Sequence, residues 1–265
     1  VTGGSPRVLL IGLDGADWQV LTPLIDRGAM PVIEGIIERG TSGRLAAPAI
    51  PQVEVAWLNC LTGAHAHVHG ILDPEVPSRD GQSVGQASAS DRHAPVVWEI
   101  AGAAGIACVH AGWGSVIGDS ADTAQSPACE PPLPEHELVR SSVELGAASA
   151  DPRDAALVER YRTLLIRSHR VVQQSIAAMH ARPSQLVSVR LAAFGELLSD
   201  FARFVPPAPD WVLPRRASAF AAAVEQGCRL HDALIGQLVQ AARGDDLAVI
   251  IASPRGTPIG RLRSD

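Results

Sequence analysis

The segment Val8–Leu13, "VLLIGL", is an apolar run ended by Gly15. A strand that faces water on one side alternates polar and apolar residues, so a run without alternation belongs to a strand covered on both faces. Such strands occur almost only in parallel sheets sandwiched between helices. The rest of the chain supplies those helices. Ala155–Ala181 has helical spacing and feeds a strand at Leu186–Leu191, and Ala217–Ala242 does the same for Leu247–Ile251. Long helices alternating with short strands predict an α/β fold with a mainly parallel central sheet flanked by helices on both faces.

Shorter units fit the same plan. Asp17–Ile25 carries a helical pattern, Pro31 stands where a first helical turn tolerates proline, and Gly40 marks the stop. Arg44–Ala47 reads as a short strand, and Val55–Leu61 as a helix closed by Gly63. Pro95–Ala104 reads as a helix leading to a strand at Ile106–Val109, and Glu135–Leu145 as a further short helix. Residues 73–92 and 115–134 are loop-like in composition, and the first is a candidate lid. No internal repeat or linker divides the chain, so residues 1–265 are expected to form a single domain.

The formal charge of −6 carries no basic footprint, which argues against nucleic acid as a partner. No stretch approaches the roughly 18 apolar residues of a membrane span, so no membrane association is expected. The start, "VTGGSPR", lacks the apolar centre of a signal peptide. Cys60, Cys108, Cys129 and Cys228 are scattered without a CxxC pair, which predicts neither a zinc site nor a disulfide framework. Reduced thiols in a cytoplasmic protein are the expectation.

Several longer stretches carry a resemblance. "VLLIGLDGADWQVLTPLIDRGAMPVIEGIIERGTSGRL", "VAWLNCLTGAHAHVHGI", "APVVWEIAGAAGIACVHAGW", "FARFVPP" and "CRLHDALIGQLV" occur in that order. In order and texture they resemble the type I phosphodiesterase and nucleotide pyrophosphatase branch of the alkaline phosphatase superfamily. The resemblance covers most of the chain and implies an alkaline phosphatase-like α/β fold. It also implies a chemistry in which paired zinc-like ions clamp a phosphoryl group and activate a Thr or Ser hydroxyl. The ligands would be aspartates and histidines at the carboxyl ends of parallel strands.

Carried over position by position, the resemblance meets departures. Asp14 stands where the family has its first metal ligand. Ten residues before Gly63, the nucleophile position holds Val53, which has no lone pair to attack phosphorus. An aspartate–histidine ligand pair falls on Gly195 and Ser199, ahead of Phe201 and Pro206–Pro207. The family's "SDHG" falls on Ser253, Pro254, Arg255 and Gly256, so that a cation replaces an acceptor. No zinc or other cofactor is therefore expected, and no residue is catalytic by the family's mechanism.

Other residues keep alternatives open. Glu54 and Glu196 neighbour vacated positions and are candidate substitutes as general base or carboxylate ligand, against the simpler reading of solvated or salt-bridged glutamates. His65, His67 and His69 would point one way on a strand and form a single-metal cluster, against surface and structural histidines. Asp14 is read as part of a ligand-binding cleft with Val53 and Arg255, paired with the Arg255 guanidinium, or else as a cap of the helix that follows. His231 is read as an exposed or core-edge residue of a long helix.

The leading expectation is a catalytically degenerate member, unable to perform two-metal phosphoester hydrolysis. It would act as a binding or scaffold partner, with a second copy, an active paralogue or a small anionic ligand, or in metal-independent chemistry. The alternative is a phosphodiesterase or pyrophosphatase-type hydrolase with substituted ligands and zinc or another divalent metal. A second alternative is a repurposed enzyme of specialised metabolism acting on a non-phosphate substrate.

Overall fold

A computed structural model of the chain describes residues 7–45, 52–77, 82–117, 154–242 and 246–256. The central sheet has the order β4-β5-β1-β6, made by β1 (Arg7–Leu13), β4 (Cys108–Ala111), β5 (Leu186–Leu191) and β6 (Leu247–Ala252). All its pairings are parallel, with Gly12 in register with Arg190 on one side and Ala252 on the other. The period of two divides β1 between two cores. Leu9, Ile11 and Leu13 face the larger core, while Val8 and Leu10 face a smaller one rich in tryptophan.

The larger core is covered by α1 (Trp18–Ile25), α2 (Pro31–Arg39), α7 (Ala155–Ala181), α8 (Ala192–Phe201), α9 (Pro214–Phe220) and α10 (Ala223–Ala241). The smaller core is covered by α3 (Val53–Thr62), α5 (Val97–Ala103) and α6 (Gly114–Ile117), and Trp57 of α3, Trp98 of α5 and Trp113, directly before α6, meet there. Gly12 makes that close approach feasible, since a Cβ there would lie 2.8 Å from the Trp113 ring and 3.0 Å from the Trp57 ring. Helices on both faces of a parallel sheet bear out the expected α/β architecture.

Some local expectations are corrected. Arg44 and Leu45 are irregular rather than strand, and residues 46–47 lie outside the described residues. The expected loop at 73–92 contains a small antiparallel ribbon, β2 (Glu75–Pro77) with β3 (Val84–Gln86). The expected helix Ala217–Ala242 is two helices, α9 and α10, with a break at Ala221 and Ala222. At the start of the expected loop at 115–134 the chain is helical to Ile117, while residues 118–134, with Cys129, and the expected helix Glu135–Leu145 lie outside the described residues. Among the described residues no helix is long and apolar enough to cross a membrane.

The start of α2 is secured from a distance. Pro31 has no N–H to cap, and the N-cap Met30 has no side-chain acceptor. The buried Asp232 of α10 instead accepts the Val32 N–H at 3.0 Å and the Ile33 N–H at 2.9 Å. Asp232→Ala leaves both donors buried without an acceptor and is expected to cost about 2 kcal/mol, read by urea unfolding.

Candidate functional site

Asp14 leaves β1 at its carboxyl end, where open α/β sheets place their sites, and is 5% exposed. Its carboxylate is fully engaged. Arg190 of β5 grips it with two prongs, Nε to Oδ1 at 3.0 Å and Nη2 to Oδ2 at 2.6 Å. Trp57 donates its indole Nε1–H to Oδ1 at 2.7 Å. Arg190 is itself only 2% exposed, so this ion pair sits in the interior with its charges cancelled. Trp57 is fixed by an edge contact with Trp113, at 5.0 Å between centroids.

This arrangement corrects two expectations about Asp14. Its guanidinium partner is Arg190, not Arg255. The helix that follows is capped by Asp17, whose side chain accepts the Gln19 N–H at 2.9 Å, not by Asp14. Arg190 is not among the residues the sequence singles out, since it stands inside the strand Leu186–Leu191. The signal was there: a lone arginine in "LVSVRL", all six residues of which are buried, requires a buried anion.

Val53 is the first residue of α3, half-buried against the tryptophan core and one turn before Trp57. Glu54 follows in the first turn of that helix, a favourable place for a carboxylate. Gly195 lies against Asp14, where an added Cβ would be 2.9 Å from the Asp14 Cβ and 3.1 Å from its backbone. Ser199, one turn further along α8, is exposed. Glu196 does not reach Asp14. It is bound to two arginines of α7, Arg160 at 2.7 Å and Arg167 at 2.9 Å, and Arg160 also holds Asp200 at 2.9 Å.

The three histidines of "HAHVH" are not brought together. They lie on a one-turn helix, α4 (Ala66–His69), with His65 at its start, not on a strand. His65 and His67 are exposed with rings stacked at 5.9 Å, whereas His69 is buried. The Ile71 N–H donates to His69 Nδ1 at 3.2 Å, which leaves Nε2–H to donate to Asn59 at 2.8 Å. Burial lowers the pKa of His69, so it stands as a neutral structural side chain. Among the described residues no three His, Cys, Asp or Glu side chains are grouped to hold a metal ion.

His231, expected at a surface or core edge, is fully buried between α10 and α7. Its Nδ1–H donates to the Gly227 carbonyl at 2.7 Å and its Nε2 accepts the Ser168 hydroxyl at 2.7 Å. The pair has the contacts of a serine–histidine dyad but no access for a substrate, as Ser168 is 1% exposed. Its role is to join two helices.

A separate cavity of about 1010 Å³ opens beside β6. It is lined by apolar residues of α2 and β6, by Trp18 and Asp17, and by Arg39, Arg44 and Arg255. Neither Asp14 nor Val53 lines it, so the three residues expected to share one cleft are divided between a filled interior site and an open cavity.

A parallel sheet between two helical layers, with a carboxylate at the end of its first strand, is an α/β scaffold of alkaline phosphatase type. Residues 8–258 match the profile of the family "Type I phosphodiesterase / nucleotide pyrophosphatase", and the chain belongs to that family. A search of curated proteins finds none that matches. Among solved structures it is similar to phosphonoacetate hydrolase from Sinorhizobium meliloti 1021. In the complex with phosphonoformate the TM-score is 0.55 at 17% identity, over 95% of this chain and 57% of that one. In the complex with phosphonoacetate the TM-score is 0.54 at 19% identity, with the same coverage. The chain thus spans 57% of the length of the hydrolase it matches. Likeness at this identity speaks for the fold alone.

Proposed function

We propose that this family member does not hydrolyse phosphoesters by the two-metal route and serves as a binding protein. The observation that carries the reading is the state of Asp14. A carboxylate serves a divalent cation when its oxygens are open, yet both oxygens here accept hydrogen bonds from Arg190 or Trp57. The fixed guanidinium supplies the positive charge that an ion would otherwise bring, and it would repel an ion at the same place. Two family ligand and nucleophile positions supply no replacement donor: Gly195 against Asp14, and Val53 one turn from Trp57, have no donor atom in their side chains.

Zinc or another dication therefore does not fit this donor set, and no hydrolytic step is assigned through one. The candidate substitutes support the same reading. Glu196 is neutralised by Arg160 and Arg167, and His69 is committed to Asn59 and the Ile71 amide.

The test is metal analysis of the purified chain together with an aryl-phosphodiester assay in added zinc or manganese. The expected result is less than one bound ion per chain and no turnover above the buffer rate. Two bound ions per chain, with turnover abolished by Asp14→Ala, would return the chain to the hydrolases.

A further inference from the structure

The cavity beside β6 combines an apolar lining with cationic side chains. Its floor is apolar, formed in part by Ile36 and Ile37 of α2 and Val249 and Ile251 of β6. Its lining also holds the guanidinium groups of Arg39 and Arg44, and among the described lining residues the one carboxylate is that of Asp17. That carboxylate is already used by the Gln19 amide at the start of α1. The cavity is therefore locally cationic in a chain whose formal charge is −6. Arg39 and Arg44 are exposed and make no ion pair among the described residues. Leu45 and Ile250, also in the lining, are 61% and 49% exposed and so present apolar side chains beside these cations.

The volume, about 1010 Å³, is at the upper end of small-molecule sites, about 300–1,000 Å³. Ser253, Arg255 and Gly256 bring the carboxyl end of β6 to it, the end at which sheets of this class receive ligands. We propose that this cavity binds a single-chain amphiphile, with an anionic head held by Arg39 and Arg44 and an alkyl tail laid on the apolar floor. A planar guanidinium matches carboxylate and phosphate heads alike, so the shared feature is the anionic head on an alkyl chain. The site is distinct from Asp14 and stands independently of the chemistry assigned there.

The test is calorimetric titration of the intact chain with laurate and with monododecyl phosphate, each below its micellar concentration. Inorganic phosphate and dodecyltrimethylammonium serve as the head-only and wrong-charge probes. The expected result is one-to-one binding of at least one anionic amphiphile, with both control probes at least tenfold weaker. Arg39→Gln combined with Arg44→Gln, both at exposed positions, is expected to weaken that binding at least tenfold at unchanged thermal stability. Equal binding of the cationic amphiphile would reduce the cavity to a non-specific apolar surface. Equal binding of inorganic phosphate would remove the tail from the proposal. Binding of none of the probes, or a dimer by light scattering that persists when they are added, would overturn it. The metal and phosphodiester measurements on Asp14 are unaffected by any of these results.

Discussion

Arg190→Ala is expected to destabilise the protein by about 3–5 kcal/mol, because it strands the Asp14 carboxylate in the interior. For a chain of this size that lowers Tm by roughly 10 °C. The ion pair is 2% and 8% exposed at its two side chains, so water cannot take over the role of the guanidinium. The double variant Asp14→Asn with Arg190→Met removes both charges and is expected to regain most of the loss. A double variant much less destabilised than the sum of Asp14→Asn and Arg190→Met measured singly is the signature of a true pair. Adding zinc to Arg190→Ala separates structure from lost function. With only one carboxylate released, no rise in Tm is expected. A clear rise would reveal further donors around Asp14 and would sink the binding-protein reading.

The second large effect is a pH dependence set by His231. Burial pushes its pKa down from about 6.5 to about 4, partly offset by its bond to the Gly227 carbonyl. The folded state therefore holds the neutral ring, and the unfolded chain takes up a proton first as pH falls. The contribution is fully present above pH 6.5 and is lost between about 6.5 and 4, at a total of about 3 kcal/mol. Urea unfolding at a series of pH values should show this loss in the parent chain. His69 and His169, whose pKa values are lowered by burial too, slope the same way. The difference between the parent and His231→Gln isolates the one residue. A parallel pair of curves would mean that the pKa of His231 is the same in the folded and unfolded chain, and would overturn this account.

The four strands of the central sheet and most helices were legible because their signals are local. An unbroken apolar run such as Val8–Leu13 has few structural options, and Gly63 ends α3 in the left-handed conformation that favours glycine. What escaped was set by pairing between distant segments. Arg190 meets Asp14 because β5 lies beside β1, a neighbour relation that depends on how the helices cross over between them. Asp232 caps a helix 200 residues away from it in sequence. The α8 helix was missed because it begins at Ala192, directly after β5, with no loop residues to announce it. At the candidate site, Asp14 was legible as the key residue and its partner was not. Arg255 was the visible cation in a landmark loop, while Arg190 was hidden inside a strand.

The contact between Gly195 and Asp14 sets a limit on redesign. Any side chain introduced at 195 begins with a Cβ inside the normal contact distance of the Asp14 Cβ and backbone. Grafting a carboxylate there is therefore not a matter of one codon. The loop after β1 must yield first, and Arg190 must be withdrawn so that Asp14 has oxygens to offer. A laboratory route to a metal-binding descendant of this scaffold would cross an unstable intermediate, whichever change came first.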